Sequence, residues 1–138
     1  MRIVEAFLAG TFIIVILVLV VSNQNSQTDN ISSQIYNSEI SIIRYIELNN
    51  SLRGNIISVS PLNLPLNSDN SSFPSRLNDS VNSRTPAYLT CESQICRASS
   101  TCDYWKGINK DVYAKEVIIT ANLTDYNPRK FKLFCFSA

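Results

Sequence analysis

Residues 3–21 constrain this chain more than any other stretch. Ile3 to Val21 carries one charge, Glu5, and ends in the unbroken apolar run Phe12 to Val21. It holds no proline, and its single glycine, Gly10, is tolerable inside a helix. At 1.5 Å per residue the stretch predicts roughly 28 Å of helix, about the thickness of a bilayer's hydrocarbon core. A helix apolar on every side needs lipid or protein against all its faces. Three roles fit: a cleaved secretory signal, a plain one-span anchor, or a helix that leaves the membrane and packs against copies of itself. Glu5 discriminates between them. A charged side chain costs about 2.5–3.5 kcal/mol at mid-bilayer and less near an end. Glu5 is therefore either an interfacial charge or the partner of a cation. The cations at hand are Arg2 and an α-amino group at Met1, from the same or a neighbouring chain.

The next segment, Ser22 to Asn30, is polar but contains neither Gly nor Pro to break a helix. Beyond it Ile31, Ile35, Ile42 and Ile46 fall on one narrow arc at 100° per residue, flanked by Ile43 and Tyr45. Gln34, Asn37, Ser41, Arg44 and Glu47 take the other sides. This is an amphipathic helix with a stripe for a core. One helix over residues 2–50 is predicted, with two helices and a polar linker as the alternative. Asn49-Asn50-Ser51 and Gly54-Asn55 carry helix-end chemistry. Pro61 to Leu66 reads as extended, 67–72 as a loop, and 75–82 as a short helix. Strands are predicted over 87–91, 95–99, 112–123 and 131–136, the last from the alternation of Phe131, Leu133 and Cys135 with Lys132, Phe134 and Phe136.

The fold class expected is thus α+β: a long N-terminal helix, hydrophobic then amphipathic, packed on a small antiparallel β head. The domains are 1–50, with 1–22 as membrane or filament core and 23–50 amphipathic, and a β-rich extracellular head at 51–138.

Composition narrows the function. Of 138 residues, none is His, which removes His-based triads and His-ligated metal sites. The three glycines form neither GxGxxG nor GxxxxGK[ST], so no phosphate-cradling loop exists. A net charge of +1 gives no reason to expect nucleic acid. No pair of acids is placed for acid/base work, so no enzyme and no cofactor is expected. Tyr104-Trp105-Lys106 is read as a packing and turn feature. Charged residues are 17%, against roughly 25% in an average soluble domain. In their place stand 15 Asn and 26 Ser and Thr, a surface suited to an exterior.

The head has a small core, so staples would help it. Cys91, Cys96, Cys102 and Cys135 match no zinc-ribbon spacing and lie where disulfides persist if the N-terminus is membrane-inserted. Two disulfides are expected, with Cys91–Cys96 across a hairpin and Cys102–Cys135 tying back the last strand. Asn-x-Ser/Thr sequons stand at Asn30, Asn49, Asn70, Asn78 and Asn122. Asn70 and Asn78 are expected to be the most exposed.

Met1-Arg2-Ile3-Val4-Glu5-Ala6-Phe7-Leu8 and the apolar run after it resemble the mature N-terminus of the type IV pilin superfamily, most of all its archaeal members. Arg2 departs from the small or polar second residue of that pattern. The resemblance implies that Met1 is the first mature residue, cut from a short basic leader, and that Glu5 meets an α-amino group during assembly. It implies a structural subunit of an extracellular type IV pilus-like filament, inserted in the cell membrane before assembly and built by bundling of apolar helices. An open head-to-tail contact then produces a helical homopolymer. The partners implied are further copies of the chain, the membrane, a pilus assembly ATPase and a platform protein, with N-glycans on the sequons. Two alternatives stand beside it: a minor pilin or pseudopilin that primes or tips a filament, and a single-span surface-anchored binding protein.

Overall fold

The computed structural model describes the backbone of residues 2–107, 109–120 and 127–138, and the side chains of 8, 10–20, 31–107, 109–120 and 127–138. The chain divides into two compact units, Met1–Gln34 and Ile35–Ala138. The backbone of α1 is helical over Arg2–Leu48. Apart from Leu8, its described side chains fall in two stretches, Gly10–Val20 and Ile31–Leu48, one apolar and one amphipathic.

The expected long apolar N-terminal helix is corrected. Among the described residues no helix is long and apolar enough to cross a membrane. The transmembrane helix expected over residues 1–22 is not found among the described residues.

The second unit starts with the last turns of α1. Ile35, Ile42, Ile43 and Ile46 are buried, while Ile31 is half exposed. Gln34, Asn37, Ser41, Arg44 and Glu47 are exposed, as their spacing required. The helix does not run on to residue 50. It stops at Leu48, and Asn49 caps a second helix, α2 (Asn50–Ile57), by accepting from the N–H groups of Ser51 and Leu52. The Asn-Asn-Ser run is therefore a start as well as a stop. After α2 come a 3₁₀ turn at Pro61–Asn63, the two-residue strand β1 (Leu66–Asn67) and α3 (Ser75–Arg84). The head thus carries two helices beside its sheet: α3, where a short helix was expected over 75–82, and α2, which was not expected.

Three longer strands complete it: β2 (Leu89–Arg97), β3 (Tyr113–Ile119) and β4 (Arg129–Ser137). They form one antiparallel sheet in the order β1-β2-β4-β3. The two strands and turn expected over 87–99 are in fact the single strand β2. Glu92-Ser93-Gln94 offers no Gly or Pro to turn the chain, and two of its polar side chains find partners: Gln94 donates to Asn67 Oδ1 at 2.7 Å, and Glu92 accepts from Tyr104 at 3.1 Å, while Ser93 is buried with its hydroxyl unpartnered. The turn expected over 122–128 lies mostly outside the described residues.

One sheet face holds the core. Cys91, Ile95, Phe131, Leu133 and Cys135 pack there with Ile35, Ile42 and Ile46 of α1, Leu52 and Ile56 of α2, and Leu77 and Val81 of α3. The other face is covered by the segment after β2. Lys130 and Lys132 of β4 donate to the carbonyls of Ser100 and Cys102 at 3.0 and 2.8 Å, pinning that segment down.

Candidate functional site

The residues expected to carry assembly are in the first unit. Met1 and the side chains of Arg2 and Glu5 lie outside the described residues. What is described is the apolar stretch after them. Phe12 to Val20 are nine consecutive large apolar residues, each at least 50% exposed, and Leu8 joins them at 57%. Nine residues at 100° apiece cover the whole helix circumference, so no face is spared. Thr11 turns its hydroxyl back to the carbonyl of Leu8 at 2.9 Å, which satisfies its polar group within the helix. This is a much larger continuous apolar surface than a monomer ordinarily leaves in water.

Both disulfides form, but not in the pairing expected. Cys91 joins Cys135, and Cys96 joins Cys102. The register dictates it. Cys91 and Cys135 are direct partners across β2 and β4, with Cα atoms 4.2 Å apart. Cys91 and Cys96 share one strand, five positions apart, so their side chains stand on opposite faces. Cys91–Cys135 sits on the core face, and Cys96–Cys102 ties the covering segment to the other face. No described cysteine is free.

The covering segment brings Tyr104, Trp105 and Lys106 over the sheet. Tyr104 packs against Trp105, Phe134 and Phe136, with ring centroids 5.1–6.3 Å apart. Trp105 donates to Asp69 at 3.0 Å, and Lys106 donates to Glu92. Burial, reinforced by the Glu92 hydrogen bond and the nearby negative charges, pushes the Tyr104 phenol up to about 12. Every polar tip has a partner, which is the arrangement of a clasp that closes the sheet's outer face.

The sequons separate. The side chain of Asn30 and the whole of Asn122 lie outside what the structure describes. Asn49 is half-buried and occupied as the α2 cap. Asn78 is not among the most exposed, against expectation: it lies in α3 and is half-buried, and the hydroxyl of its sequon Ser80 is bonded to Arg76 O at 2.7 Å. Asn70 is exposed in the loop between β1 and α3, with its Oδ1 accepting from Ser72 N–H at 2.9 Å.

Two buried charges escaped the sequence reading. Glu39 is 2% exposed and Oε1 has no hydrogen-bond partner. Burial pushes its carboxyl up to about 7, with the Lys115 charge pulling the other way. Lys115 itself lies over the Tyr36 ring at 5.1 Å. Arg129 is 4% exposed. Both were findable by spacing. Glu39 stands four residues after Ile35 on the same stripe, and Arg129 alternates with Phe131, Leu133 and Cys135 on the core face of β4.

Comparison with protein families, with curated proteins and with solved structures found no match to this chain.

Proposed function

We propose that the chain is the structural subunit of an extracellular filament of the type IV pilin kind, assembled through its apolar N-terminal stretch. The observation that carries this is Phe12–Val20, apolar and at least half exposed around the full helix circumference. A surface open on all sides is covered best by several like neighbours, which a bundle of identical segments supplies. Before assembly lipid covers it; in the filament, copies replace the lipid. Assembly draws on an ATPase and a platform protein from outside the chain. The head faces an oxidising exterior, in keeping with its two disulfides, and N-glycans attach there.

In the bundle Glu5 would lie in a dry, low-dielectric surrounding and needs a cation, either the α-amino group at Met1 or the guanidinium of Arg2. Removing one partner of such a buried pair costs about 3–5 kcal/mol, repeated at every subunit. Glu5→Ala is therefore expected to leave the protein associated with membranes while filament yield, counted by electron microscopy, collapses. A normal yield from Glu5→Ala would overturn the assembly role of Glu5. Filaments that carry the chain at one end alone would make it a minor subunit.

A further inference from the structure

A cleft of about 350 Å³ opens between the end of α2 and the start of β4, lined among others by Ser58, Val59, Ser60, Asn127 and Arg129. No Asp or Glu is among its described lining residues. Arg129 Nη2 donates to the carbonyl of Val59 at 3.1 Å; Nε is shut off from solvent and has no hydrogen-bond partner, so what the guanidinium offers the cleft is its uncompensated charge and its remaining Nη donors. No ion pair to Arg129 forms among the described residues. A guanidinium taken out of water is normally paired with a charge of opposite sign, because a carbonyl satisfies one donor and neutralises nothing. The Ser60 hydroxyl accepts the Leu62 N–H at 3.4 Å, which leaves its own hydrogen to donate. The Ser58 hydroxyl already donates to Asn55 O, and so contributes less.

We propose that this cleft binds a small oxyanion, a carboxylate or a phosphate group, with Arg129 as the counter-charge and Ser60 as a hydroxyl donor. Guanidinium donors match the oxygens of either group. An Arg129 that merely tied down the Val59 carbonyl would need no anion and would show no ion dependence.

The test is isothermal titration of the full chain in detergent micelles with inorganic phosphate and with acetate, at constant ionic strength. Saturable uptake of one ion per chain is expected. Arg129→Met, which keeps the volume and loses the charge, should weaken it by about tenfold or more. Arg129→Lys and Ser60→Ala should each weaken it several-fold, and they carry the test if the Met variant does not fold. Displacement of phosphate by acetate would identify a carboxylate as the natural class; resistance to acetate would identify a phosphate group. No saturable uptake of either ion, or uptake unchanged in Arg129→Lys and Ser60→Ala, would overturn the proposal.

Discussion

Glu39 occupies a position where its neighbours on the α1 stripe are isoleucines, and that placement has a thermodynamic consequence. The folded carboxyl titrates at about 7 against an ordinary 4.5. Between those pH values the folded chain holds a proton that the unfolded chain has released. The stability tied to Glu39 is therefore fully present below about pH 4.5 and is lost as pH rises through about 7. One pKa unit corresponds to about 1.4 kcal/mol, so the loss is on the order of 3 kcal/mol. Denaturant titrations at pH 5 and pH 8 should show this decline in the wild type and little of it in Glu39→Gln. A wild type as stable at pH 8 as at pH 5, relative to the Gln variant, would show that Glu39 finds a partner in solution. At the same scale the sequons divide by local geometry. Peptide mass spectrometry of the protein from its natural source should find glycan on Asn70, which is exposed and non-helical. Asn78 should be bare, because a helical, half-buried asparagine offers no extended strand to an enzyme. Glycan on Asn78 with Asn70 bare would reverse that ranking.

At the scale of elements, the two disulfides are not equivalent. Cys91–Cys135 closes a separation of 44 residues between paired core strands, and Cys96–Cys102 closes one of 6. The chain-entropy model gives about 4 kcal/mol for the first and about 2 kcal/mol for the second. Replacing Cys91 and Cys135 together by Ala should thus lower head stability in denaturant about twice as much as replacing Cys96 and Cys102. The reverse order would show that the outer clasp, rather than the core strands, limits unfolding. What the sequence disclosed at this scale followed from periodicity. The burial of Ile35, Ile42 and Ile46 was legible because a stripe at helical spacing has one interpretation. Phe131, Leu133 and Cys135 were legible by their alternation. Asn49-Asn50-Ser51 was ambiguous because the same side chains end one helix and cap the next. β1 spans two residues and leaves no periodic signal. The polar run Glu92-Ser93-Gln94 concealed the middle of β2, because its partners Asn67 and Tyr104 lie 27 and 12 residues away along the chain. The disulfide pairing depends on strand register, which no local pattern contains. Glu39 and Arg129 went unread because charged side chains ordinarily face water, although their spacing places them inside.

At the scale of the whole molecule the two units divide the work. The unit Ile35–Ala138 buries its apolar residues around one sheet and closes with two disulfides, so it has what a small domain needs to hold its fold. The unit Met1–Gln34 leaves its described apolar residues open. The proposed filament would cover that stretch with its copies in neighbouring subunits. Cryo-electron microscopy of filaments sheared from the surface of cells that make the protein tests this most directly. The account predicts a helical polymer whose repeating density is this head, with Phe12 to Val20 at the axis in contact with their equivalents from neighbouring subunits. Surface filaments that contain no copy of this chain, or a polymer in which Phe12 to Val20 face outward, would contradict it.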